Sequence, residues 1–461
     1  MAALLFADDR GAVYDHPVLR AAVRSGDALL APRERPIRLP EGGCLARLPG
    51  RRPVGIDPAS GALTVLHEVQ VGRRRFVPHA VGATLPPGYT RTFLPAVSRA
   101  ALPMADEAPQ LPQWAYTAAA LEGGQAVAAG PGRRGPGPSD EVGPGRPGPG
   151  PRIVVWALRT DRRGHWSPAD HNTPDLPGRV GDRLAESTNP IYRQLARCAL
   201  EWRCFTAQNT FYLRDEGAIP SSAACNAACL GCLSEQEAGQ PPSSHERIER
   251  PPSAEEMAEV ALHHLRGATG HVMVSFGQGC EGEPLLRWKA IERAIRLVRG
   301  ATSRGSLHMN TNGSRPEALV ALVRAGLDSV RISLNSADPE LYQAYYRPRG
   351  YGLAEVLRSA RQARRAGAHV ALNLLTFPGV TDRSGEVAAL TRLVRQARVD
   401  QVQTRPLAID PDSYLAVARG RGAGGEPIGI RGLVAALRAA RPGLVVGNFS
   451  RARHERRRVR R

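Results

Sequence analysis

The sequence predicts an α/β fold, a partial (β/α)6 barrel core with an N-terminal β-rich module. Three observations carry this reading. Six strand-like runs alternate with helical patterns between about residues 215 and 410. Distinctive polar residues stand at the ends of those runs, where turns begin. Residues 1 to about 120 instead combine many Pro and Gly with short alternating apolar runs such as Ala62–Val71 and Arg75–Val81, the pattern of a small β-rich unit. Alternating strands and helices imply a parallel sheet with right-handed crossovers, either open and doubly wound or curved into part of a barrel. In both, ligands gather at the C-terminal strand ends.

Taken in chain order, the accessory module is expected over residues 1–180. Residues 130–151 read GPGRRGPGPSDEVGPGRPGPGP, a composition that buries little apolar area and is expected to be disordered. Trp114–Ala120 and Arg152–Thr160 on either side look like strands, so the stretch reads as a loop inserted in the module; an interdomain linker is the alternative. A helical connection follows over 181–214, with Pro190–Ala207 as its helix. Within the core at 215–410, a short strand precedes a cysteine-rich loop. Ser253, three residues before Glu256, then opens a capping box for a helix to about Arg266. Further strands are expected at His271–Phe276, Ser306–Asn310, Ser329–Leu334, His369–Leu375 and Gln401–Pro406. Helices are expected at Leu285–Arg299, from Pro316 to near Gly326, at Leu353–Ala366 and at Gly385–Ala397. Residues 411–450 form a helical and strand extension that includes Leu433–Ala440, and 451–461 a disordered arginine-rich tail.

At 461 residues and 42% apolar, the chain is long enough for a large core plus smaller modules. Its net charge of +19 invites a nucleic-acid reading. That reading is not favoured: the cations are almost all arginine, with Lys289 the single lysine, in a background rich in Ala, Gly and Pro that looks like GC-rich coding bias. An aromatic fraction of 5% also argues against a surface that stacks many unpaired bases. The first ten residues lack a basic region and cleavage pattern, and no run approaches the roughly 20 apolar residues of a membrane span. A reducing cytoplasm is the expected compartment, without membrane association.

Three of the seven cysteines, Cys225, Cys229 and Cys232, fall within eight residues. Three thiolates at spacings of four and three on one loop can each bind one iron of a cubane and leave the fourth iron open for chemistry. A zinc site is the alternative reading, but zinc wants four ligands, and no second pair stands at knuckle spacing.

The segment from Ser221 to Cys232 resembles the cluster loop of the radical SAM superfamily, and downstream segments follow in that family's order. The resemblance covers about residues 215 to 410. It implies a [4Fe-4S] cluster on Cys225, Cys229 and Cys232, with S-adenosylmethionine chelating the open iron through its amino and carboxylate groups. It further implies reductive cleavage to a 5'-deoxyadenosyl radical that abstracts hydrogen from a substrate. Gly282, Glu283 and Pro284 resemble the end of the family's Gly-Gly-Glu-Pro turn, which accepts hydrogen bonds from the methionine ammonium; Glu281 replaces its first glycine. Asn310 and Asn312 lie in a turn similar to the family's Thr-Asn-Gly. Ser333 and Asn335 match the fourth strand's contacts to the cofactor ribose, and Asn373 the adenosine pocket. Gln403 and Arg405 are expected to point into the same mouth, where Arg405 either meets a carboxylate or phosphate in bidentate fashion or merely caps the barrel. Cys198, Cys204 and Cys280 are buried free thiols or, alternatively, the ligands of an auxiliary cluster. The partners implied are an electron donor such as flavodoxin or ferredoxin and an unknown substrate, a peptide or small metabolite in preference to RNA. The competing class is a non-catalytic protein, either a zinc or Fe–S regulator or a nucleic-acid binder.

Overall fold

Side chains alternate between two faces along a strand, and in the core strands one face is apolar while the other is polar. Strands β1 (Arg214–Ala218), β2 (Thr269–Phe276), β3 (Ser306–Thr311), β4 (Ser329–Leu334), β5 (His369–Thr376), β6 (Gln401–Pro406) and β7 (Val445–Gly447) pair in chain order as one parallel sheet. The computed structural model describes residues 2–98, 110–123, 151–163 and 166–453. Val330, Ile332 and Leu334 of β4, with Val370, Leu372 and Leu374 of β5, sink into the main core against the covering helices. The opposite face is read from the register: Asn310 lies beside Arg331, then Ala371 and Gln401, and one step further on Ser333 lies beside Asn373 and Gln403. The result is a half-barrel whose outside is greasy and whose lumen is polar.

The helices are α1 (Ala254–Gly267), α2 (Trp288–Ala301), α3 (Pro316–Ala325), α4 (Pro339–Tyr346), α5 (Leu353–Arg365), α6 (Ser384–Gln396), α7 (Pro411–Ala418) and α8 (Gly429–Ala440). Local chemistry sets their starts. Ser253 closes a capping box with Glu256 at α1. Asp338 and Asp410 each cap a helix whose first residue is Pro, at α4 and α7. Three details correct the sequence reading. The sheet has seven strands, not six, because Val445–Gly447 adds to the β6 edge that the sequence pattern left open. The stretch expected as one helix over Pro190–Ala207 is two, Pro190–Leu200 and Phe205–Tyr212, broken where Arg203 takes a left-handed backbone of φ 52°. Trp114 to Tyr116 precede the strand expected there, which runs Thr117–Glu122.

Beyond β7 the chain turns under the barrel. Gln401 Nε2 donates to Phe449 O at 2.8 Å and the Arg453 N–H donates to Ser306 Oγ at 2.7 Å, so residues 449–453 floor the lumen from β6 to the start of β3. The remainder of the expected tail, 454–461, lies outside the described residues, as do 130–150 of the Gly- and Pro-rich stretch.

The N-terminal residues build a ten-stranded, largely antiparallel sheet with smaller flanking sheets. Its strands Thr117–Glu122 and Arg152–Val155 pair with Ala119 opposite Val155 and Glu122 opposite Arg152, so the Gly- and Pro-rich stretch joins two neighbouring strands of one sheet. This module grips the core through buried polar groups. Arg91, fully buried, donates to Tyr116 O at 3.0 Å and Leu407 O at 2.8 Å while lying over the Phe377 ring. Arg51 pairs with Asp410 at 2.6 Å, with exposures of 1% and 3%, and Asp410 also accepts from the Leu111 N–H. No helix among the described residues is long and apolar enough to cross a membrane.

A buried pair is weak evidence of net stabilisation, but removing one partner strands the other charge. Arg51→Leu is therefore expected to cost on the order of 3 kcal/mol in chemical denaturation, and Arg51→Leu with Asp410→Leu much less than twice that. A second expectation concerns His264, which is buried beneath β1 with its Nε2 donating to Asp215 O at 3.2 Å; burial lowers its pKa to about 4. The unfolded chain then binds more protons between pH about 6.5 and about 4, so stability is lost as pH falls through that window. His264→Leu should flatten that part of the pH–stability curve.

Candidate functional site

Residues 221–232 form a loop after β1 without secondary structure of its own, and other segments hold it in shape. The Ala228 and Leu230 N–H groups donate to Tyr346 O and Tyr345 O at the end of α4, at 3.1 and 3.0 Å. Arg349 donates through its backbone to Asn226 O at 2.8 Å and through its side chain to Cys225 O at 3.0 Å. On the opposite side the Gly282 and Glu283 N–H groups donate to Ser222 O and Ala224 O at 2.7 and 2.9 Å. Gly282 has to be glycine: a Cβ there would lie 2.1 Å from Ala224 O. Gly277, at φ +79°, would likewise drive a Cβ to 1.9 Å from Asn310 O.

Glu281, read from the sequence only as a lost glycine, has a role of its own. Its carboxylate accepts from the Ser221 N–H at 2.7 Å, Ser221 Oγ at 2.6 Å and the Ser222 N–H at 3.2 Å, and on its other oxygen from the Gly277 and Gln278 N–H groups. It thus staples the loop to the end of β2. Burial pushes its pKa up to about 7 against those donors. Glu283 accepts from Thr311 Oγ1 at 2.5 Å, the Asn312 N–H at 2.7 Å and the Leu285 N–H at 2.9 Å, and burial raises it to about 7 also. Pro284 follows as the first residue of a short 3-10 helix.

Of the other expected residues, Asn312 joins this centre by donating to Asn226 Oδ1 of the cysteine loop at 2.8 Å. Asn310 lies at the end of β3, donating to Phe276 O at 3.2 Å and sharing a hydrogen bond with His308. Ser333 and Asn373 are register neighbours on the lumen face, and Asn373 Oδ1 is buried without a partner. Asn335 diverges: its amide nitrogen is spent on Leu341 O and Tyr414 Oη at 3.4 Å each, which leaves its buried Oδ1 unpartnered. Gln403 accepts from Arg331 at 2.9 Å, and Arg405 follows on the same face. The sequence reading missed Glu281, Thr311, Arg331 and the tyrosines of α4, all of which act through tertiary proximity.

The three loop thiols are a donor set that fits an iron–sulfur cluster. Burial, then the charge of Glu283, pushes Cys225 up to about 11, and burial with the two neighbouring thiols pushes Cys229 well above the ordinary range. Thiolates so placed need positive partners; Arg247, whose Nη2 is 3.9 Å from Cys232 Sγ, supplies only one. Among the described residues no three His, Cys, Asp or Glu side chains surround a single metal-ion position. Tyr346 Oη, whose ionisation Cys229 disfavours, is buried with no partner and is available to a further group in the site.

Cys198, Cys204 and Cys280 also gather: Cys280 shares a side-chain hydrogen bond with Cys198 and interacts with Cys204. Cys198 and Cys280 are 0% and 2% exposed inside the main apolar core, the surroundings of inert structural thiols.

Residues 219–391 match the sequence profile of the Radical SAM superfamily. The cofactors of that family are a [4Fe-4S] cluster and S-adenosylmethionine. Among its relatives, the GTP 3',8-cyclase of Marinobacter nauticus is 30% identical over 180 residues, 38% of this chain and 49% of that protein. The GTP 3',8-cyclase of Heliobacterium modesticaldum is 31% identical over 196 residues, 41% of this chain and 53% of that protein. The matched region thus spans about half the length of these curated relatives. A radical SAM methyltransferase from Sphaerobacter thermophilus superposes with a TM-score of 0.37 at 17% identity, over 50% of this chain and 65% of that one.

Two substitutions test the clasp. Gly282→Ala is expected to push the cysteine loop off the turn after β2 and to lower bound iron after anaerobic reconstitution by more than half, with the far-ultraviolet circular dichroism unchanged. Glu281→Gln replaces an acceptor oxygen with an NH2 group facing N–H donors, and should cost roughly 1–3 kcal/mol in denaturant melts.

Proposed function

We propose that the chain is a radical SAM enzyme that holds a [4Fe-4S] cluster on Cys225, Cys229 and Cys232 and cleaves S-adenosylmethionine reductively. The observation that carries this reading is the clasp between the cysteine loop and the Gly282–Pro284 turn, which sets three thiols beside a turn able to receive the methionine end of the cofactor. When bound, the cluster supplies the electron that splits the cofactor into methionine and a 5'-deoxyadenosyl radical able to take hydrogen from a substrate. The protein's own part is orientation. Glu283, held by Thr311 and Asn312, fixes the turn; its carboxylate and the backbone carbonyls around it provide acceptors for the methionine ammonium. Ser333 and Asn373, side by side on the lumen face, and the free Oδ1 of Asn335 provide polar contacts for the ribose and adenine. An external electron donor of the flavodoxin or ferredoxin kind supplies the electron.

The lumen is polar, and residues 449–453 close it from below. Such a chamber suits a small metabolite or one residue of a peptide better than folded RNA. The cyclases among the relatives carry a nucleotide in their name, and a nucleotide falls within the small-metabolite class.

The test is anaerobic reconstitution with iron and sulfide, reduction, and chromatography for 5'-deoxyadenosine. Wild-type protein is expected to bind four irons per chain and to form 5'-deoxyadenosine. The variant with all three cysteines changed to alanine should do neither. Tight zinc with intact cofactor would overturn the proposal in favour of a metal-binding regulator.

A further inference from the structure

The lumen face carries two half-buried guanidiniums and little negative charge beside them. Arg331 on β4 and Arg405 on β6 lie on the same face, separated by the single strand β5. Arg331 gives one hydrogen bond, to Gln403 Oε1, and its Nε is buried with no partner. Neither guanidinium makes an ion pair among the described residues. The lumen carboxylate whose charge reaches both is Glu216 on β1, and it already accepts from Ser275 Oγ at 2.5 Å. Asp161, whose charge also reaches Arg405, is held by Arg163 at 2.9 Å. Burial, and then the repulsion of Arg331, lowers the pKa of Arg405 to about 9.

A buried cation without an anion is costly to keep. Two half-buried guanidiniums on one face of a polar chamber, one of them with a buried unpartnered Nε, offer a place for something negative. The bonds of the floor segment include those to Gln401, Gln403, Ser306, Asp328 and Arg163.

We propose that Arg331 and Arg405 form an anion subsite in the lumen, and that the substrate carries a phosphate or carboxylate group which the two guanidiniums bind. This rests on the reading of the chain as a radical SAM enzyme, because it places the subsite in the chamber where that substrate would react. Planar guanidinium forks suit either oxyanion. The cofactor's own carboxylate is a second source of the same chemistry, and the experiment separates the two.

Inorganic pyrophosphate and succinate are titrated calorimetrically into the full-length reconstituted protein at physiological ionic strength, with S-adenosylmethionine binding measured in parallel. The expected result is saturable binding of at least one probe to the wild type. Arg331→Met and Arg405→Met should each weaken it by about tenfold or more, and Arg405→Lys by less, since an ammonium keeps the charge but not the fork. Cofactor affinity should stay within about twofold throughout. No saturable binding of either probe overturns the proposal, as does binding that persists unchanged in both methionine variants. Loss of cofactor affinity in those variants also overturns it, by assigning the arginines to the cofactor carboxylate. Formation of 5'-deoxyadenosine by the same wild-type preparation reports on the parent reading separately: if it is absent while the probe result holds, the enzyme reading fails and the anion site stands.

Discussion

The cysteine loop depends on backbone closeness to the turn after β2. Residues 221–232 have no ladder of their own, and their conformation is borrowed from two neighbours, the end of α4 and the Gly282–Glu283 turn. The second contact works only because Gly282 has no Cβ. Backbone hydrogen bonds fix position more tightly than long side chains do, because few torsions separate donor from acceptor. A site that must hold three thiols and a bound cofactor to within a fraction of an ångström gains from that kind of support.

Glu281 shows how a departure from a family motif can be absorbed. Where relatives of the motif have a glycine, this chain places a buried carboxylate with donors on both oxygens. The flexibility lost at one residue is offset by hydrogen bonds that tie the loop after β1 to the loop after β2. Glu283, two residues on, does the same between β2 and β3. Two buried acids therefore lace three consecutive strand ends together around the thiols, and a polar chamber opens beneath them.

Much of the core could be read from the chain because its signals are local. Ser253 with Glu256 marks α1, and Ser329–Leu334 and Gln401–Pro406 have the expected bounds because the sheet period is uninterrupted there. The helix α4 shows no clear sequence signal beyond Asp338–Pro339, since its eight residues make little more than two turns, too few for Leu341, Tyr342, Tyr345 and Tyr346 to display a helical period. The three-residue β7 is too short to show a period and exists because β6 offers it an edge. The cysteine loop and the turn after β2, both marked by local motifs, meet through backbone hydrogen bonds. The partners of Glu281 carry no such mark, because Ser221 is sixty positions away in sequence and no spacing rule connects them. Asn335 shows what alternation alone leaves out: the strand ends at Leu334, and the amide nitrogen donates to Tyr414 Oη while the buried Oδ1 has no partner.

The way the N-terminal module is attached has a consequence for what counts as an independent piece of this chain. The family profile covers 219–391, yet Asp410, Leu407 and Phe377 of the barrel are completed by Arg51 and Arg91 from the module. A fragment cut at the family boundary would lose β6 together with Leu407 and Asp410, and would bare the face of Phe377 that Arg91 covers in the intact chain. Barrel and module share buried polar contacts, so exchange of the module would require rewriting the barrel surface that meets it.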